Sequence, residues 1–100
     1  MVKHIVAWKL KSSAGGRDRQ ENASIMKERV EGLKDKIKEI LQIEVGINVN
    51  TSSAAYDVVL YSEFKDMESL DVYQNHPEHL EVKAFVEEVT QDRIVVDYLV

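Results

Sequence analysis

Apolar and polar positions along this chain follow two different periods, and each change of period marks a new element. Residues 2 to 11, "VKHIVAWKLK", alternate: Val2, His4, Val6, Trp8 and Leu10 fall on one side, Lys3, Ile5, Ala7, Lys9 and Lys11 on the other. That period of two predicts a strand, with His4 sharing a face with four apolar residues. "SSAGGR" reads as a loop, because adjacent glycines after small polar residues favour turn geometry. Asp18 followed three residues later by Glu21 resembles a capping box, and Ala23, Met26, Val30, Leu33, Ile37 and Ile40 then recur at steps of three and four. The spacing predicts one amphipathic helix carrying that whole stripe, with Gly32 inside it.

Alternation returns in "QIEVGINVN", residues 42 to 50, where Ile43, Val45, Ile47 and Val49 make one dry face. After the polar link "TSSA", residues 56 to 64 form a further strand with Tyr56, Val58, Leu60, Ser62 and Phe64 on one side, so the two should pair antiparallel. Asp66 can cap a short helix holding Met67, Leu70 and Tyr73. "NHP" interrupts it, since proline disfavours a helical residue before it and suits the first turn of a new helix. The second segment runs from Pro77 to about Thr90 with Val82, Phe85, Val86 and Val89 buried, and "RIVVDYLV" closes the chain as a strand apolar on both faces. The order is strand, helix, strand, strand, broken helix, strand. It predicts a single α+β domain over residues 1–100 with a ferredoxin-like βαββαβ antiparallel sheet and helices on one face.

The uncovered face of that sheet is expected to carry Ile5, Ala7, Val59, Tyr61, Val95 and Leu99, an apolar surplus too large to leave in water. A second copy related by a two-fold axis would cover it, so the expected partner is the chain itself, as a homodimer. A chain of 100 residues with 44% apolar and 31% charged content has only a modest core of its own, which points the same way.

Charge and composition remove several classes of function. The net charge of −5 argues against nucleic acid as a partner, and no apolar run approaches the length of a membrane span. With no cysteine, disulfides and thiolate chemistry are excluded, and an intracellular, cytoplasmic location is compatible. There is no phosphate-binding glycine loop, nucleophile elbow or dinucleotide fingerprint.

Chemistry-bearing residues concentrate in "YQNHPEHLE", Tyr73 to Glu81. His76 falls near an N-cap with Pro77 at the first helical position. His79 lies in the first turn, where the helix dipole disfavours a positive imidazole while Glu78 and Glu81 favour one. Helical geometry brings Tyr73 and His79 toward the helix-side face of the sheet, where His4 points. Three readings stand: satisfied structural side chains, a general acid–base pair lining an apolar pocket, or a metal site of His4, His76 and His79. The last lacks an i,i+4 histidine pair and an evident carboxylate ligand, so no metal is expected.

Taken together, "VKHIVAWKLK", "VGINVN", "YDVVLYSEF", "SLDVYQNHPEHLEV" and "IVVDY", in this order, resemble the Dabb family, the stress-responsive dimeric α/β-barrel domain. The resemblance implies a ferredoxin-like protomer whose sheet closes into a barrel with that of a second copy. In one branch of that family, a polyketide cyclase, the tyrosine and second histidine of the motif are catalytic. They match Tyr73 and His79, with His4 lining the same pocket and no cofactor needed. The expected ligand-binding residues around that pair are His4, Val6, Leu60 and His76. The ligand would be a small carbonyl-containing or aromatic metabolite. Competing expectations are a non-enzymatic stress protein acting through assembly and, more distantly, a monooxygenase of the wider dimeric-barrel group.

Overall fold

In the computed structural model, which describes residues 1–100, strand β1 spans Val2–Leu10 and is followed by two short strands, β2 (Ser13–Ala14) and β3 (Arg17–Asp18). Helix α1 (Arg19–Glu31) leads through a 3-10 turn, Gly32–Asp35, to β4 (Ile40–Ile47) and β5 (Val58–Phe64). Helices α2 (Met67–Asn75) and α3 (Pro77–Val89) then precede β6 (Thr90–Leu99). The main sheet has the order β4-β5-β1-β6 and every pairing is antiparallel. This is the ferredoxin-like α+β fold, with β1 and β5 central and β4 and β6 at the edges.

Strand β1 displays the expected alternation along its whole length: Val2, His4, Val6, Trp8 and Leu10 are buried and the residues between them are not. One cluster beneath the sheet joins Val6, Trp8 and Leu10 to Met26 and Val30 of α1 and Phe85 and Val89 of α3. A second joins Val2 and Phe64 to Leu33, Ile37, Leu70 and Tyr73. Burying each such side chain contributes about 1.5–3 kcal/mol relative to leaving it exposed. Val82 packs against both clusters and marks the seam between them.

The Asp18 capping box forms as expected: its carboxylate accepts from the Glu21 N–H at 2.8 Å and Glu21 accepts from the Asp18 N–H in return. The helix behind it is shorter than its stripe. Leu33, Ile37 and Ile40 are all buried, yet α1 ends at Glu31, and Ile40 already pairs with Phe64 as the first residue of β4. Gly32, a weak helix former, sits at the boundary, and a 3-10 turn carries Leu33 into the second cluster. Spacing of apolar residues reports which side chains are buried, and here burial outlasts the helix.

Other corrections concern strand limits and faces. Val49 is 96% exposed because β4 ends at Ile47 and residues 48–50 form a polar turn, in which the Asn48 side chain bonds to both the backbone N–H and the carbonyl of Asn50. The "SSAGGR" loop contains a two-residue hairpin, β2 with β3, whose tip, Gly15 and Gly16, has φ of 61° and 76°. Two consecutive positive φ values are what a hairpin turn of this length demands and what glycine accepts without strain. Finally, Val95 lies opposite Val6, and Leu99 opposite Val2, which puts both on the helix side of the sheet. Expected on the bare side, they are replaced there by Ile94, Val96 and Tyr98, the first two paired with Ala7 and Ile5.

Candidate functional site

The break between α2 and α3 builds the site. Asp66 caps α2 by accepting from the Ser69 N–H at 2.8 Å, and the helix runs to Asn75 with Tyr73 in its last turn. His76 then leaves the helical region (φ −66°, ψ 135°), as the proline after it requires, and Pro77 opens α3. The Glu78 N–H, which in an unbroken helix would bond the Gln74 carbonyl, instead bonds His76 Nδ1 at 3.1 Å. The Gln74 carbonyl is thereby released, and His79 Nδ1 takes it at 3.0 Å.

That contact fixes a tautomer. A carbonyl oxygen only accepts, so Nδ1 of His79 carries the proton and, in the neutral ring, Nε2 is a bare acceptor. Burial pushes the His79 pKa below its ordinary 6.5. The Gln74 bond opposes this, while the positive charges of Lys83 and Arg93 and the neighbouring His4 add to it. Glu78, which on sequence alone could favour the charged ring, lies 3.6 Å from Lys36. His79 is thus held as a neutral base at physiological pH.

The His79 ring lies against Tyr73, centroids 4.5 Å apart. Tyr73 is buried between His79 and Phe64, and its ring centroid is 6.3 Å from that of His4. Burial pushes its phenol up to about 12, so it stays protonated and can donate. It makes no hydrogen bond within the chain, and no buried side-chain nitrogen or oxygen is left unpaired, so its hydroxyl opens onto free space. His4 in turn donates from Nδ1 to the Asp97 carboxylate, and its own carbonyl accepts from Ser62 Oγ at 2.9 Å.

That space is a cavity of about 560 Å³ between sheet and helices, within the range of small-molecule sites. His4, Val6, Leu60, Tyr73 and His79 all line it. His76 does not: its ring is engaged as the cap of α3. Trp8, Val30, Leu33 and Val86 supply more of the apolar wall. Two polar residues beside the site, Asp97 and Arg93, were not anticipated. Asp97 pairs in register with His4 and Arg93 with Trp8, so both project from β6 toward the helices. The signal that could have found them is the alternation of β6 once its phase against β1 is known.

A four-stranded antiparallel sheet with helices on one face and a Tyr/His-lined cavity between the layers defines a ferredoxin-like α+β domain with an internal pocket. More narrowly, the sequence profile of the stress responsive A/B barrel domain, Dabb, matches residues 2–100, and the chain belongs to that family. It is similar to a protein of unknown function from Bacteroides fragilis, described as dimeric and ferredoxin-like: 37% identity, TM-score 0.80, covering 97% of this chain and 93% of that one. The Arabidopsis thaliana protein At3g17210 (21% identity, TM-score 0.84, 99% and 94% covered) and the hydroxynitrile lyase of Passiflora edulis (16%, 0.84, 99% and 92%) share the fold. No curated protein matches the chain. No helix is long and apolar enough to cross a membrane.

Proposed function

We propose that this protein is a homodimer that binds a small carbonyl-containing or aromatic metabolite and performs acid–base chemistry on it with His79 and Tyr73. The observation that carries the reading is the tied tautomer: Nδ1 of His79 is spent on the Gln74 carbonyl, leaving Nε2 unprotonated beside a buried, unbonded phenol on the same cavity. His79 Nε2 removes an acidic proton from the carbon between two carbonyls. The C–H electron pair moves into the new C=C bond, and the carbonyl oxygen takes the charge while accepting a hydrogen bond from the Tyr73 hydroxyl. The enolate so formed is poised to attack a second carbonyl of the same molecule. No cofactor is required for these steps.

Homodimerisation rests on the face of the sheet away from the helices, where Ile5, Ala7, Val59, Tyr61, Ile94 and Val96 lie together. The B. fragilis relative, at 37% identity, is described as dimeric. The same face supports the second reading, a non-enzymatic protein whose role is assembly, and one experiment separates the two. Enolisation of a 1,3-dicarbonyl probe, benzoylacetone, is followed by the absorbance of its enol. The wild type accelerates it, His79→Ala loses about 10²-fold or more, and Tyr73→Phe loses a comparable factor. Because the working form of His79 is the neutral one and its pKa lies below 6.5, the rate is on its plateau at pH 7 and falls as pH drops through that lowered value. Acceleration untouched by His79→Ala ends the acid–base reading in favour of assembly.

A further inference from the structure

We infer that the metabolite carries a carboxylate and that Arg93 binds it, so the cavity selects small organic acids with an acyl or aryl body. This deepens the reading above and rests on it. Arg93 lies opposite Trp8 on the helix-facing side of β6 and lines the cavity. The other charges around this wall have partners. Lys83, also lining the cavity, lies 3.9 Å from Glu87; Asp71 accepts from the Asn75 side chain; Asp97, four residues along the same face of β6, holds His4. Of the remaining arginines, Arg17 and Arg29 lie over the Phe85 ring and Arg19 is 4.0 Å from Asp57. Arg29 and Arg93 make neither an ion pair nor a side-chain hydrogen bond, and of these two only Arg93 lines the cavity.

A guanidinium is a planar fork of donors matched to a carboxylate, and one left without a protein acceptor on a cavity wall is free to receive that group from a ligand. Its charge is felt at both reacting groups, lowering the pKa of Tyr73 and of His79, which places it within electrostatic reach of the chemistry. Val6, Trp8, Leu60, Val30 and Val86 leave an apolar volume for the remainder of the molecule. A 3-oxo acid or an aromatic acid satisfies all three requirements: an anion for Arg93, a carbonyl or ring for Tyr73 and His79, and a carbon skeleton for the wall.

The probes are 4-butylbenzoate and its neutral isostere 4-butylbenzamide. Trp8 is the single tryptophan and part of the wall, so its indole N–H resonance reports occupancy without interference. The wild type binds the acid about five- to tenfold more tightly than the amide, and the preference shrinks with added salt. Arg93→Gln brings the ratio close to one, and Arg93→Lys keeps part of it. A wild type indifferent to the charge, or an Arg93→Gln variant that still prefers the acid, overturns the assignment while the cavity reading stands. If neither probe moves the Trp8 signal, the binding reading fails and takes the assignment with it.

Discussion

Strands β4 and β6 are the two edges of one sheet, and they are finished in opposite ways. On β4, the backbone of Val45 is closed off by α1: the Val45 N–H donates to the Glu31 carboxylate at 2.9 Å, and Lys27 Nζ donates to the Val45 carbonyl at 2.6 Å and to Glu31 at 2.9 Å. Both edge strands carry one register shift, between Ile40 and Gln42 on β4 and between Thr90 and Asp92 on β6, so the difference lies in the side chains that close the β4 backbone. Such closure blunts an edge against pairing with other chains. Strand β6 has ten residues, of which only Thr90 is even partly buried, and no side chain caps its backbone. The chain completes one edge with its own side chains and leaves the other, together with the bare face beside it, to be completed by something else.

The largest expected effect lies at the unfinished edge, where two adjacent valines form an internal control. Val95 and Val96 are similarly exposed, at 45% and 56%, but Val95 faces the helix side opposite Val6 and Val96 the bare side opposite Ile5. If a second copy covers the bare face, Val96→Glu buries an unpaired carboxylate in the interface, a cost of several kcal/mol that raises the dimer dissociation constant by about 10² or more. Val95→Glu, one residue away, leaves the dimer essentially intact. Sedimentation equilibrium of the two variants reads the difference; equal dissociation would mean that the partner does not lie on the bare face.

The same pair of residues shows where the sequence stops being legible. Strand β1 could be read outright because Lys3 and Lys9 mark one of its faces as the outer one, and the helix stripes could be read because 3.6-residue spacing needs no partner. "RIVVDYLV" is apolar on both sides, so its own pattern contains no phase. Only pairing with β1, some ninety residues earlier, decides which side each residue takes, and an error of one position exchanges the faces. Hence Val95 and Leu99 were expected on the wrong side, and Arg93 and Asp97 escaped notice as site residues although they project toward the cavity side. Tyr73, His79 and His4 were legible because their elements are locally amphipathic. The Gln74 carbonyl that orients His79 was not, since a freed backbone group leaves no mark on residue identity beyond the proline that freed it.

The finished edge gives a smaller effect, on stability instead of assembly. Glu31→Ala removes the acceptor of the Val45 N–H and the partner of Lys27 together. Water can replace part of this at an edge, and the side chains of Lys27 and Glu31 are both partly exposed, so the expected loss is about 1 kcal/mol. Denaturant unfolding at constant protein concentration measures it. Dimer content should be unchanged, in contrast to Val96→Glu, because β4 has already used its outward-facing groups at Val45 within the chain.

The smallest effect is the acid dependence of that difference. Partial burial raises the Glu31 pKa, but the Val45 N–H and Lys27 outweigh it and hold the carboxyl below its usual 4.5. A carboxylate with a lowered folded pKa stabilises the protein fully above the unfolded value, and the stabilisation is lost as pH falls through the folded one. Wild type and Glu31→Ala should therefore differ by a constant amount from pH 7 down to about 5 and converge below 4.5. The contrast between the edges predicts no such convergence for a substitution on β6, where the only carboxylate with a side-chain partner, Asp97, turns inward to His4. If the gap for Glu31→Ala is flat through pH 4, the link at Val45 is held by shape and hydration instead of charge, and β4 is closed by the position of α1 alone.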